Sequence, residues 1–162
     1  MPSVDKGSKV LVSGANGYIA MWIVRTLLER GFAVRGTVRT EEKGDFMINY
    51  FKSLGYGDNF EVVVVDDIVK VVDGFWPYLW PDLEFKEGAF DEAVKGVNAI
   101  EHTASPVQFN PKEPEGVQLE RYRYDAYSFL YLIYEVDLIN PAVQGTRGML
   151  KSALKYGYVT LT

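Results

Sequence analysis

The stretch Lys9-Val-Leu-Val-Ser-Gly-Ala-Asn-Gly-Tyr-Ile-Ala20 constrains the fold more than any other part of the chain. The apolar run Val10 to Val12 reads as a buried strand. An amphipathic helix pattern follows, reaches Arg30 and stops at Gly31. Between strand and helix stand Gly14 and Gly17, with the small Ala20 just inside the helix. A strand, a glycine turn and a helix in that order build a seat for a pyrophosphate. Gly14 permits the tight turn, Gly17 lets the backbone approach the phosphates, and Ala20 lets the helix pack against the strand. The anion would rest on unpaired N–H groups at the positive end of the helix dipole. The plainer alternative is a tight turn before a helix.

Composition narrows the remaining possibilities. The chain has 162 residues, 48% of them hydrophobic, which is enough for one domain with a core. Its net charge of −5 and the lack of any basic run argue against nucleic acid or an anionic membrane as partner. There is no cysteine, so disulfides and thiolate metal sites are excluded. The one histidine, His102, cannot make a histidine-rich metal site. Met-Pro-Ser-Val-Asp-Lys at the start lacks a signal-peptide core, and no apolar run approaches the ~20 residues of a membrane span. The expected location is the cytoplasm.

Along the chain, hydrophobic period alternates between strand and helix. Strands are expected at Val10–Ser13, Ala33–Val38, Phe60–Val65 and Val97–Thr103. The four consecutive valines of the third predict burial on both faces, as in a parallel sheet. Helices are expected at Tyr18–Arg30, with Ile19, Ile23 and Leu27 on one face and Val24 and Leu28 beside them, and at Glu41–Leu54, with Phe46, Tyr50 and Leu54 at spacing four. A short helix fits Gly88–Lys95. A longer one fits Leu138–Tyr156, which opens on Asn140-Pro141 and keeps Val143, Thr146, Leu150 and Leu154 in register. This order predicts an α/β fold with a parallel sheet of about four strands, flanking helices and right-handed crossovers. Two irregular insertions interrupt it, at about 71–87 (Gly-Phe-Trp-Pro-Tyr-Leu-Trp-Pro) and about 116–137 (Tyr122, Tyr124, Tyr127, Phe129, Tyr131, Tyr134). Neither shows a helical or strand period where a short link is usual. They read either as introns retained in the gene model or as true insertions, such as a lid.

Five motifs carry a family resemblance: Ser13-Gly-Ala-Asn-Gly-Tyr-Ile-Ala20, Val34-Arg-Gly-Thr-Val-Arg39, Val65-Asp-Asp-Ile68, His102-Thr-Ala-Ser-Pro106 and Asn140-Pro-Ala-Val-Gln-Gly-Thr146. With them the chain resembles the extended short-chain dehydrogenases/reductases, in the branch of dihydroflavonol, cinnamoyl-CoA and fungal methylglyoxal or ketone reductases. This group belongs to the wider NAD-dependent epimerase/dehydratase family. The resemblance covers residues 9–157 apart from the insertions and implies a partial Rossmann fold. It makes 1–162 one truncated NAD(P)-binding domain. The implied activity is NAD(P)-dependent oxidation or reduction at a CH–OH or carbonyl carbon of a small molecule. A non-catalytic nucleotide-binding module and a sugar-nucleotide epimerase or dehydratase are the alternatives.

The cofactor positions implied are Gly14, Ala15, Asn16, Gly17, Tyr18 and Ile19 at the turn, then Arg39, Lys43, Asp67, Ile68, Thr103, Ala104 and Ser105. An NAD enzyme usually places an acid after the second strand to grip the ribose 2′-OH. Here Arg39 stands there, with Lys43 a turn further on, and a guanidinium suits a 2′-phosphate. NADP is therefore favoured over NAD, although Arg39 could be a solvated strand-end charge and Glu41 or Glu42 could reach a ribose. By resemblance Asp67 meets the adenine amino group and Ile68 flanks the base; alternatively, Asp66 and Asp67 cap the next segment. Thr103, Ala104 and Ser105 are small enough to let ribose and phosphates pass the sheet edge. His102 is expected to be structural.

The family's hydride chemistry also needs a Ser or Thr and a Tyr-x-x-x-Lys pair, whose lysine lowers the tyrosine pKa. No lysine in the chain has a tyrosine four residues before it. No catalytic residue is therefore assigned, and the chain is expected to hold the cofactor-binding half and to be inactive alone.

Overall fold

A computed structural model describes residues 4–66, 69–72, 82–104 and 139–156. Asp67, Ile68, Ser105 and all of 116–137 lie outside them. The elements are β1 (Lys9–Ser13), α1 (Tyr18–Glu29), β2 (Ala33–Val38), α2 (Glu41–Ser53), β3 (Phe60–Val64), β4 (Val69–Val72), β5 (Asp82–Phe85), α3 (Asp91–Val94), β6 (Ala99–His102) and α4 (Asn140–Lys155). Four parallel strands form one sheet in the order β3-β2-β1-β6. The chain thus steps from β1 to β3 on one side, then returns to lay β6 on the other. β1 stands at the point where the order reverses, which is where open α/β sheets bind ligands.

One face of this sheet makes the main core. Val12, Val34, Val38 and Phe60 pack with Ala20, Val24 and Leu28 of α1 and Met47 and Phe51 of α2. The rings of Phe51 and Phe60 lie 4.7 Å apart. Strand alternation sends Leu11, Ser13, Arg35 and Thr37 to the opposite face.

The helices form where the sequence predicts them; on α1 Val24 and Leu28 of the marked stripe pack inward, but the residues marked on α2 and α4 turn outward. On α1, Ala20, Val24 and Leu28 are buried, while Ile19 is 70% exposed and Ile23 and Leu27 are only partly covered. On α2 the buried residues are Gly44, Met47 and Phe51, with Phe46, Tyr50 and Leu54 outside. On α4, Met149, Ser152 and Ala153 turn inward while Val143, Thr146, Leu150 and Leu154 are exposed. Close approach to the sheet is the cause on α2: a Cβ at Gly44 would come within 3.0 Å of Val62 Cγ1. On α2 the small Gly44 faces the strands beside Met47 and Phe51, so a stripe drawn through Phe46, Tyr50 and Leu54 marks the outer side.

Two further expectations are corrected. β3 is the outer strand of the sheet and is not buried on both faces, with Val64 43% exposed. The insertion at 71–87 is not wholly irregular, because β4 and β5 pair antiparallel, Val69 opposite Phe85 and Val72 opposite Asp82. The valine-rich first strand and the alternating Asp-Leu-Glu-Phe of the second carry a short strand pattern inside an otherwise aperiodic stretch.

On the second face, buried Leu11, Phe90, Val94, Val97 and Met149 are joined by a set of charged links. Arg35 Nε donates to Glu61 Oε1 at 2.6 Å, and its Nη1 donates to the carbonyls of Ala93 at 2.9 Å and Lys95 at 2.5 Å, closing the end of α3. Lys9 Nζ joins Glu61 at 2.9 Å. Asp91 at the start of α3 accepts from Ser152 Oγ at 2.7 Å and Lys155 Nζ at 2.5 Å on α4. Hydrogen bonds from Lys155 and Ser152 hold Asp91 below the usual carboxylate range. Burial pushes Glu61 up, but hydrogen bonds from Lys9 and Arg35 outweigh it and leave that carboxyl low as well. A depressed carboxylate stabilises the fold above its unfolded pKa, and that stability is lost as pH falls through the folded value. The thermal midpoint followed by circular dichroism should therefore hold steady above about pH 5 and drop below about pH 4. The Glu61→Gln, Asp91→Asn double variant should flatten that drop; an unchanged acid limb would show that these two carboxylates do not set it.

Candidate nucleotide site

The turn after β1 is built by exclusion. Gly14 has φ +62°, a left-handed conformation that disfavours side chains, and a Cβ there would lie 3.0 Å from Ala104 Cα and 3.1 Å from its Cβ. A Cβ on Gly17 would sit 3.2 Å from the Gly14 carbonyl oxygen, to which the Gly17 N–H already donates at 2.9 Å. Gly14 is thus needed for the shape of the turn, and Gly17 fits it closely.

Hydrogen bonding sorts the turn's amides. Gly14 N–H donates to Thr37 Oγ1 at 3.1 Å and Ala15 N–H to the Thr37 carbonyl at 2.9 Å. Gly14 and the fully buried Ala15 therefore shape the bend, and their donors are engaged within the sheet. Tyr18, Ile19 and Ala20, the first three residues of α1, have no carbonyl partner inside the helix. Gly17 at the N-cap is extended, offers no side-chain cap, and no acidic residue stands in the first turn. By contrast, α2 starts with a Thr40 side-chain cap, followed by Glu41 and Glu42. The opening of α1 suits an external anion; that of α2 is satisfied by its own chain. Asn16 is exposed, as are Tyr18 at 83% and Ile19 at 70%, so the bend is open to a ligand.

Thr37 and Gly36 shape the bend, and the sequence analysis gives neither of them a role there. Gly36 lies in mid-strand because a Cβ there would come within 2.8 Å of the Ala15 Cβ. A glycine inside a strand pattern signals such a close approach. Here the neighbour it makes room for is the fully buried Ala15.

The neighbouring strand ends complete the edge. Arg39 follows β2 directly and is exposed; Lys43 is exposed in the first turn of α2, its amide on Thr40 Oγ1 at 3.5 Å. Beyond β6, Thr103 Oγ1 donates to the Ser13 carbonyl. The amides of Thr103 and Ala104 donate to Ser13 Oγ at 3.0 and 3.1 Å. Fully buried Ser13 also lies 2.8 Å from His102 Nδ1. The fold therefore brings Ser13 and Gly14 against Thr103 and Ala104 where β1 and β6 end, with Arg39 one strand over on the same edge. Asp67, Ile68 and Ser105 lie outside the described residues. His102 faces the Phe90 ring edge-on at 6.5 Å, and burial holds its pKa below the ordinary histidine value. Among the described residues no cluster of acids and histidines could hold a metal, and no helix is long and apolar enough to cross a membrane.

No protein-family model matches the chain. Individual proteins do. A cinnamoyl-CoA reductase from Medicago truncatula is 34% identical over 157 residues, 96% of this chain and 36% of that protein. Aldehyde reductase 2 from Sporidiobolus salmonicolor is 33% identical over 93% of this chain and 32% of its own length. A ketoreductase from Penicillium roqueforti reaches 45% identity over 62% of this chain and 25% of itself. Among solved structures, yeast methylglyoxal/isovaleraldehyde reductase complexed with NADPH matches with a TM-score of 0.61 and 32% identity, covering 91% of this chain and 33% of that one. Gre2 from Candida albicans in complex with NADPH gives 0.63 at 27% identity, over 93% and 34%. The four-stranded parallel sheet is accordingly a partial Rossmann fold. By these matches the chain is a homologue of dihydroflavonol, cinnamoyl-CoA and methylglyoxal reductases, and it spans about one third of its relatives' length.

Proposed function

We propose that this chain is the NADP-binding part of a cytoplasmic reductase that acts on a carbonyl or CH–OH carbon of a small molecule, and that it does not turn over alone. The observation that carries this reading is the uncapped, acid-free opening of α1 beside Gly14, at the strand edge that also bears Arg39. The amides of Tyr18, Ile19 and Ala20 receive the pyrophosphate, and Asn16 and Gly17 flank it. Arg39 and Lys43 take the 2′-phosphate, Asp67 and Ile68 the adenine, and Thr103, Ala104 and Ser105 border the ribose. When bound, the nicotinamide supplies the hydride. The chain reads as one cofactor domain with two insertions; by packing it divides into one unit holding 1–67, 87–104 and 146–162 and another holding 68–86 and 105–145, which takes in most of both insertions. The missing Tyr-x-x-x-Lys pair equally suits a non-catalytic nucleotide-binding module.

Titration with NADPH and NADH, followed by energy transfer from tryptophan, tests the reading. Trp22, 56% exposed on α1, is a suitable reporter. NADPH should bind more tightly than NADH, and Arg39→Ala should weaken NADPH alone, by ~1–3 kcal/mol for a lost charged hydrogen bond. Equal loss for both nucleotides would remove the 2′-phosphate assignment.

A further inference from the structure

Ser13 has more partners than its hydroxyl can serve without a fixed orientation. A hydroxyl offers one proton and two lone pairs. The Thr103 and Ala104 amides, at 3.0 and 3.1 Å, occupy both lone pairs. The proton is left for His102 Nδ1 at 2.8 Å. Nδ1 must then be the bare ring nitrogen, with the hydrogen on Nε2.

We propose that His102 is a positioning residue of the nucleotide crevice: as the neutral Nε2–H tautomer it accepts the Ser13 proton, so that Ser13 can hold the β6 loop against Gly14, and protonation of the ring opens that link and weakens nucleotide binding. The reach from ring to crevice is short. Ala104 is the residue that a Cβ on Gly14 would meet, so whatever fixes the Ala104 amide sets the crevice width. A protonated ring would aim an Nδ1–H at an oxygen whose lone pairs are both taken. Either an amide or the ring must then let go.

The surroundings favour the neutral ring. From β1 it meets Ser13, and from the turn before α3 it meets the edge of Phe90, which in turn abuts Gly148 on α4. Its neighbour Glu101 pairs in register with Val12 and so points to the other face of the sheet. Asp91, next to Phe90, is tied to Ser152 and Lys155. Burial alone lowers the ring's pKa, with no charge contributing. The link is therefore intact above the ordinary histidine range and is lost as pH falls through the lower folded value.

The effect on binding rests on the nucleotide reading above; the tautomer does not. Because His102 is the sole histidine, its ring nitrogens can be read in the full-length chain by nitrogen-15 NMR without assignment. At pH 8 a bare Nδ1 and a protonated Nε2 are expected, with the Thr103 and Ala104 amide resonances moving as the ring titrates. The opposite tautomer, or amides that stay still, would overturn the proposal. Calorimetric NADP⁺ affinity should fall about tenfold per pH unit below the ring's NMR pKa. His102→Asn, which keeps an acceptor near Nδ1, should match the parent at pH 8 and lack that fall. His102→Leu should bind weakly throughout. A parent profile no steeper than that of His102→Asn, or asparagine and leucine variants that behave alike, would overturn it too. Absence of NADP⁺ binding in the parent at every pH would count against the nucleotide reading, and the NMR results would still decide this one.

Discussion

A Gly14→Val chain should lose NADP binding by about 100-fold or more, close to 2.7 kcal/mol. Two effects add. Gly14 sits at φ +62°, where a branched side chain costs roughly 1–3 kcal/mol. Its Cβ would also lie 3.0 Å from Ala104 Cα and 3.4 Å from Ala104 N, backbone atoms that Ser13 holds in place. The strand end cannot yield as a flexible side-chain tip would, so the crevice itself must distort. Gly55 provides the control. It has φ +87°, yet a Cβ there meets nothing within 4 Å. Gly55→Val should carry similar backbone strain and leave nucleotide affinity unchanged. Calorimetry with NADP⁺ on both variants decides the matter: a Gly14→Val affinity within threefold of the parent would remove the crevice from the binding site.

The second large effect concerns stability. Arg35→Leu should destabilise the chain by ~3 kcal/mol, measured as a shift in urea midpoint. The Arg35 side chain is only 14% exposed, and one guanidinium serves Glu61 and the carbonyls of Ala93 and Lys95. Its removal leaves two carbonyls without that donor and Glu61 with only Lys9, each loss worth about 1–3 kcal/mol where water cannot fully substitute. Arg25, paired with Glu29 on the outside of α1, is the comparator: both side chains are more than 40% exposed, and Arg25→Leu should leave the midpoint in place. Similar midpoints for the two variants would mean that the β2–α3 link is not structural.

Much of this architecture is legible in the sequence, and each miss has its own physical origin. The glycine turn declares itself because Gly14 is demanded by its positive φ and by the closeness of Ala104, and Gly17 by a tight approach to the Gly14 carbonyl. Strand and helix order follow from hydrophobic period. The inward faces of the helices do not. At α2 the sheet comes so close that Gly44 packs inward beside Met47 and Phe51, and on α4 Met149, Ser152 and Ala153 turn inward, whereas the sequence stripes run through Phe46, Tyr50, Leu150 and Leu154. The exposed Val64 was equally hidden, because a valine run does not tell an outer strand from an inner one. At the site, Arg39 and Thr103 could be placed from strand ends alone. The Ser13 link could not, since it joins residues about ninety positions apart through one hydroxyl.

Gly36 and Ala15 end on a constraint of their own. The two positions share room for a single methyl group, since a Cβ added at 36 would overlap the one at 15 at 2.8 Å. Size at one site is therefore traded against size at the other: a bulkier residue in mid-β2 is compatible with this bend only if position 15 shrinks to glycine. The glycine turn and the inside of a neighbouring strand, far apart along the chain, would have to change as a pair.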